Sequence, residues 1–285
     1  MEGKLHDVIS ERIPDNRESR ISESFVKWLA GLVDSDGSIS FFQERNIKYG
    51  YYLLRLTLQI GSSDAFDKEH RMLDYIRNTT WMGTIKTDKR VINGKVYKTW
   101  CVLKTSEIEA LLPRLIKHLV VKGRHALTLF DTWKRLKGDH LSEEDIESLR
   151  LFSKQSRAIA GPVKSKNHPS FAWTAGFCDG DACFNIQYRK DRPTPLMSIE
   201  IIQHKNDYVG IELLQKAFGG KISKKKEHLL IWRRNLGLES SSFTNFLLPK
   251  LLRYSTIKKH RIEQILHFHS QRLNEEIPMG KVIVQ

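Results

Sequence analysis

The sequence predicts an α/β protein built from two similar halves, each a small antiparallel sheet carrying helices. Three observations lead there. One segment occurs twice, as Trp28-Leu-Ala-Gly-Leu-Val-Asp-Ser-Asp36 and Trp173-Thr-Ala-Gly-Phe-Cys-Asp-Gly-Asp181, with Trp, Ala, Gly, Asp and Asp in register 145 residues apart. Each copy is followed by segments of period-two hydrophobicity, the signature of half-buried strands. The elements after each copy then recur in the same order, which marks an internal duplication.

Each repeated segment opens on Ser-Phe (Ser24-Phe25 and Ser170-Phe171), where the serine suits a helix N-cap. The strands that follow, 38–45 and 183–189, are rich in β-branched and aromatic residues. From Leu54 to Ile60 the chain alternates strictly, with Leu54, Leu56, Leu58 and Ile60 on one face and Arg55, Thr57 and Gln59 on the other; its counterpart runs from Met197 to Gln203. Helical patterns follow over 68–77 and 207–218, then short strands, with Asn93-Gly94 reading as a hairpin turn. Each half closes with a leucine-rich helix, a basic cluster and a further helix, over Leu111–Leu136 and Phe246–Leu273. The order is therefore α-β-β-α-β-β-α-α, twice.

These patterns divide the chain into an N-terminal tail (1–23), a first half (24–137), a linker (138–169), a second half (170–273) and a C-terminal tail (274–285). In the linker, Leu141-Ser-Glu-Glu-Asp-Ile-Glu reads as a capped helix, and Gly161-Pro162 to His168-Pro169 as a breaker-rich connection. The tails carry no strong periodicity.

Composition narrows the partners. Of 285 residues, 40% are apolar and 28% charged, enough for a core and too ordered a mixture for wholesale disorder. Lys and Arg number 47 against 33 acids, a net charge of +14, which points to a polyanion and first to nucleic acid. Three cysteines (Cys101, Cys178, Cys183) make no disulfide framework and no Cys-x-x-Cys pair, and read as small buried residues of a reducing compartment. No apolar run approaches the ~18 residues of a membrane span. The first twenty residues are too acidic for a transit peptide and too polar for a signal peptide, so the expected location is the compartment of synthesis.

The chemistry concentrates in the repeat. On a helix, Gly31 and Ser35 lie one turn apart on one face, as do Gly176 and Gly180, and small residues so spaced let two backbones approach closely. Pressing the two repeated helices together brings Asp36 and Asp181 side by side at adjacent C-termini. A helix C-terminus already carries partial negative charge, so this placement is costly unless cations relieve it. A pair of carboxylates with oxygen donors and phosphate suits Mg²⁺, which activates water and stabilises a leaving oxygen. Asp34 and Asp179, two positions earlier on another side of the helix, read as structural groups bonding nearby backbone. His267 and His269 fall on different helix faces, so joint metal ligation is disfavoured and both read as surface histidines.

The nonapeptide Leu29-Ala-Gly-Leu-Val-Asp-Ser-Asp-Gly37 resembles the LAGLIDADG motif of homing endonucleases, and Thr174-Ala-Gly-Phe-Cys-Asp-Gly-Asp-Ala182 is a looser copy. Two copies at this separation resemble the single-chain branch of that family, over roughly residues 24–273. The resemblance implies pseudo-symmetric αββαββα halves, saddle-like antiparallel sheets and motif helices packed at the interface. It implies a Mg²⁺-dependent endonuclease, with Mn²⁺ substituting and Ca²⁺ supporting binding without cleavage. Asp36 and Asp181 match the catalytic metal ligands, while Ser35 and Gly180 match residues whose carbonyl oxygens face the metal. Lys122 and Lys258 match a basic residue near the scissile phosphate. Gln203 matches a polar position beside the metals, with Ser62 aligned to it in the first half. Ala182, in place of the final glycine, is expected to alter the exit of the second helix slightly.

Two-stranded ribbons fit the major groove. The candidate DNA contacts are Ser40, Arg55, Thr57, Gln59, Lys86, Glu200, Lys221, Ser223 and Lys225, all polar and on strands or strand ends. The run Lys221-Ile-Ser-Lys-Lys-Lys226 is the densest positive patch and suits phosphate more than bases. The expected protein is a monomeric, site-specific nuclease for long, non-palindromic double-stranded DNA. It is expected in a chloroplast, a mitochondrion or a prokaryotic cytoplasm. The rivals are an RNA maturase that binds intron RNA on the same scaffold, and a DNA-binding regulator without catalysis. A membrane-surface role fits poorly, because the charge is spread over strand faces.

Overall fold

The computed structural model describes residues 21–63, 71–87, 95–159, 161–163, 168–190, 192–236 and 241–275. The first motif helix, α1 (Glu23–Asp36), is capped by Ser22, whose hydroxyl accepts from the Phe25 amide at 3.2 Å. The cap is thus Ser22 and not Ser24: the helix takes its first residue, Glu23, from the segment assigned to the tail. Ile21 is buried, and its carbonyl accepts from the Arg114 guanidinium at 2.8 Å, which anchors this start to the first lobe.

The chain then folds into β1 (Gly37–Asn46), β2 (Tyr51–Ser63), α2 (Arg71–Thr80), β3 (Thr84–Thr87), β4 (Tyr97–Val102), α3 (Thr105–Ile116) and α4 (Gly123–Leu136). The linker helix α5 (Glu143–Ser156) carries a full capping box between Ser142 and Asp145, as the Ser-Glu-Glu-Asp run predicts. The second lobe repeats the order: α6 (Phe171–Asp181), β5 (Ala182–Arg189), β6 (Arg192–His204), α7 (Val209–Phe218), β7 (Lys221–Lys226), β8 (Leu229–Asn235), α8 (Ser241–Leu252) and α9 (Lys259–Glu275). Each lobe therefore closes with two helices, αββαββαα. The Asn93-Gly94 turn and the start of the helix expected over 68–77 lie outside the described residues.

Both sheets are antiparallel, in the orders β1-β2-β4-β3 and β5-β6-β8-β7. Alternation decides the faces. Leu54, Leu56, Leu58 and Ile60 are all buried on the helix-covered side, as are Met197, Ile199 and Ile201 in the second sheet. Trp100 opposes Ile60, and Trp232 opposes Ile201. Both indoles are fully buried, and they donate to the carbonyls of Met82 (2.8 Å) and Gly219 (2.9 Å). The opposite faces carry mainly polar side chains among the described residues.

Three smaller expectations change. Cys101 and Cys178 are buried, but Cys183 is exposed because it lies on the polar face of β5. His267 is exposed as expected, whereas His269 is fully buried on the inner side of α9. Ala182 leaves the second helix exit unaltered: it takes φ −79°, ψ 140°, and Gly37 takes φ −81°, ψ 158°. Both exits are extended, so neither needs the left-handed cap that favours glycine. Gly37 is required instead by crowding, since an added Cβ would stand 2.5 Å from the Val33 Cα.

Candidate active site

The site begins with the contact between α1 and α6. A Cβ on Gly31 would stand 2.0 Å from the Trp173 carbonyl oxygen, and one on Gly176 would stand 1.8 Å from that of Trp28. Backbone touches backbone at these points, so only glycine fits. One turn on, a Cβ on Gly180 would meet the Ser35 Oγ at 2.1 Å. Ser35 turns that hydroxyl back onto its own helix, donating to the Leu32 carbonyl at 2.9 Å. The small-residue spacing read in the sequence is thus the crossing point of the molecule.

Two buried aspartates lock the crossing. Asp34 accepts from the Val120 amide (2.6 Å), the Lys122 amide (2.8 Å) and the Trp173 indole (2.9 Å). Asp179 accepts from the Thr256 amide (2.8 Å), the Lys258 amide (3.1 Å), the Ser255 hydroxyl (2.5 Å) and the Trp28 indole (2.9 Å). Both are structural, as expected. Their partners are not nearby backbone, however: they lie 76 to 151 residues away, on the closing helix turns and the opposite lobe. Burial pushes the Asp34 carboxyl up, opposed by the two amides, the Lys122 ammonium and the Trp173 indole.

Asp36 and Asp181 end the two helices and share one neighbourhood. A Cβ on Gly180 would stand 3.0 Å from Asp36 Oδ2, so the Asp36 carboxylate lies across the end of the other helix. Burial pushes the Asp181 carboxyl up to about 7, and the Asp36 charge adds to the rise. Asp36 is open to solvent on one side, yet the atoms crowding its other sides raise its carboxyl too, against the pull of Lys122 and Lys258. Two crowded carboxyls, both raised by burial and one raised further by the charge of the other, are a poor apo arrangement and a good cation site. The donor set, two carboxylates at adjoining helix ends, suits a hard divalent ion. Among the described residues there is no cluster of three or more His, Cys, Asp or Glu that would suit a structural zinc.

Lys122 reaches the same spot by an unforeseen route. Its Nζ donates to the carbonyls of Val33 (2.8 Å), Ser35 (3.2 Å) and Gly37 (2.7 Å). α1 has no basic residue in its last turn, so this distant ammonium supplies the positive charge its C-terminus lacks. Burial pulls the Lys122 amine down, while Asp34, Asp181, Asp207 and Asp36 hold its charged form. Lys258 is also within electrostatic reach of both Asp36 and Asp181.

Gln203 donates its amide Nε2 to Asp181 Oδ2. Strand register settles its counterpart: Ile60 opposes Trp100 and Ile201 opposes Trp232, so Ser62 and Gln203, each two residues on, are equivalent. Both are largely buried. The halves are therefore unequal at this position.

On the polar sheet faces, Lys86, Lys221, Ser223 and Lys225 are exposed, and Lys225 occupies a bulge in β7. Ser40 and Gln59 are half-buried. Arg55 is paired with Glu44 at 2.9 Å, and Glu200 with Arg233 at 2.6 Å. Thr57 departs from expectation. It is on the polar face, but its side chain is buried, and it shares a 3.2 Å hydrogen bond with Ser40 across the strands. Its side chain is short, and the longer Arg55 and Gln59 flank it on the same strand face.

The fold and site together define a two-lobed, pseudo-symmetric α/β chain whose paired helices deliver two carboxylates to one place. Residues 174–269, most of the second lobe, match the family model described as LAGLIDADG endonuclease. The whole chain has the fold of the LAGLIDADG homing endonucleases. The structure of I-GzeII in complex with its DNA target shares 18% identity over 88% of this chain and 91% of that one, with a TM-score of 0.65. I-SmaMI bound to uncleaved DNA in the presence of calcium ions shares 19% over 88% and 92% (TM-score 0.63). I-AabMI bound to uncleaved DNA shares 18% over 88% and 92% (TM-score 0.63). Both lobes are thus contained in one chain in these proteins as well. No curated protein matches the sequence.

Proposed function

We propose that this chain is a monomeric, divalent-metal-dependent endonuclease that hydrolyses both strands of a long, non-palindromic double-stranded DNA site. The observation that carries the reading is the convergence of Asp36 and Asp181 at the abutting ends of α1 and α6. The net charge of +14 and the exposed lysines of the outer sheet faces support a polyanionic partner. The metal-dependent activity of the resembled family and the DNA-bound structures that share the fold support the same reading.

Asp36 and Asp181 would hold the metal, with the Ser35 and Gly180 carbonyls completing its oxygen donors. When bound, Mg²⁺ supplies a Lewis acid for the phosphate and lowers the pKa of water. The protein's part is arrangement. Lys122, fixed by three carbonyls, and Lys258, within electrostatic reach of both carboxylates, would offset the negative charge that develops on the pentacoordinate phosphorus. Gln203 orients the Asp181 carboxylate. The two sheets differ side chain by side chain, so the two half-sites they read would differ as well.

The test is to select bound duplexes from a randomised library and then offer the selected site on a plasmid. Mg²⁺ should support cleavage, and Ca²⁺, larger and a poorer activator of water, should support binding alone. Asp36→Asn and Asp181→Asn should each abolish double-strand cleavage while leaving binding. Full cleavage by the double variant would sink the site assignment. Selective binding without cleavage would identify a regulator, and preference for structured intron RNA over every duplex would identify a maturase.

A further inference from the structure

The outer sheet faces carry two apolar side chains that stand well out into solvent. Phe42 on β1 is 49% exposed and Leu196 on β6 is 40% exposed, whereas Leu53, Ile202 and Ile231 on the same faces are partly or fully covered. A single exposed apolar residue is ordinary. The positions of these two are not independent, however. Phe42 stands directly opposite Arg55, and Gln187 directly opposite Leu196. Phe42 is five residues beyond Gly37, and Gln187 five beyond Ala182, the matching first residues of β1 and β5. The same cross-strand position in each lobe thus holds one apolar residue and one hydrogen-bonding residue, with the two strands exchanging roles.

Base edges in the major groove offer one apolar group, the C5-methyl of thymine, beside the polar donors and acceptors. Resting on the nuclease reading above, we propose that Phe42 and Leu196 each read a thymine methyl, one in each half of the DNA site at matching distances from its centre. Five residues of strand span about 17 Å. At about 3.4 Å per base pair, the contacts fall roughly five base pairs outward from the helix ends. The polar partner at each position, Arg55 or Gln187, faces the neighbouring base edge. The apolar residue comes from β1 in one lobe and β6 in the other. The two thymines therefore need not occupy symmetry-related strands, so this pair of contacts does not require a palindromic site.

The test uses deoxyuridine, which lacks only that methyl. In the selected site, each thymine is replaced singly by deoxyuridine, and binding is measured in Ca²⁺. One position in each half should weaken binding about fourfold, the worth of one buried methyl. Phe42→Ser should abolish that discrimination in one half only and Leu196→Ser in the other, while Phe42→Leu should preserve it. Circular dichroism and a melting curve confirm that each variant is folded. Indifference to deoxyuridine throughout, or discrimination that survives both serine variants, overturns the assignment alone. Failure to select any DNA site overturns the nuclease reading and this inference with it.

Discussion

The Trp28 indole nitrogen donates to the Asp179 carboxylate at 2.9 Å, joining the first lobe to the second, and Trp173 returns the same bond to Asp34. Each lobe thus lends a donor to the buried aspartate of the other. The same aspartates accept the amides of Lys122 and Lys258, so the exchange fixes the two basic residues relative to the two helix ends.

Trp28→Phe keeps an aromatic ring but removes the donor, together with part of the buried indole volume. Losing a hydrogen bond to a buried carboxylate costs about 1–3 kcal/mol. Urea denaturation should show that loss for either tryptophan, and the two together should lose at least the sum. A double variant as stable as the wild type would remove the exchange from any structural role.

Gly31→Ala should be far worse than its size suggests. The new methyl would stand 2.0 Å from the Trp173 carbonyl oxygen, and no rotamer change relieves a clash with backbone. The helices must separate, at about 3 kcal/mol or more. Gly61→Ala is the control: nothing lies within 4 Å of its added Cβ, and stability should stay within about 0.5 kcal/mol. Equal melting temperatures for the two variants would contradict the close crossing.

The pH dependence follows from Asp181. Its carboxyl sits at about 7 in the folded chain, against 3.8 ordinarily. Between those values the folded state binds more protons than the unfolded one, so the metal-free protein loses stability as pH rises from about 4 to about 7. The loss is on the order of 2 kcal/mol, discounted for the partial exposure of the site. Asp181→Asn should flatten that slope. Mg²⁺ should oppose it, because a bound cation favours the ionised form. A melting temperature rising over this window in metal-free buffer would contradict the sign.

Cleavage of the two strands should be unequal. Gln203 fixes Asp181 through its amide, whereas Ser62 offers the matching position only a short hydroxyl. Each ~1.4 kcal/mol of barrier is tenfold in rate. A nicked intermediate is therefore expected on supercoiled plasmid, and Gln203→Ser should change its amount more than Ser62→Ala. Passage from supercoiled to linear DNA with no nicked species at any time would refute the inequality.

Much of this protein was legible in local pattern. The duplication follows from two matching segments 145 residues apart, and the order of elements, the inward face of β2 and the capped linker helix follow from residues within a few positions of one another. The close crossing followed from Gly31 and Gly176, because one small face recurring in two equivalent helices has few uses other than mutual contact. The pairing of Asp36 with Asp181 came with it.

What escaped the sequence depends on contacts between distant segments. Lys122 reads as a basic residue at a helix start, and only the packed chain carries its ammonium to three carbonyls at the end of α1. Ser255 and Thr256 carry no local signal as partners of Asp179. The tryptophans were visible as a repeat, but their exchange spans 151 and 139 residues. Thr57 alternates correctly and is still covered, because alternation sets the face while neighbouring side chains set the depth. The sequence by itself determined which elements form and which face each one buries, since backbone periodicity ties those to adjacent residues. Only the tertiary structure decided how deep the aspartates lie and which groups satisfy them, since a buried charge takes its partners from whatever the packed chain brings within about 3 Å.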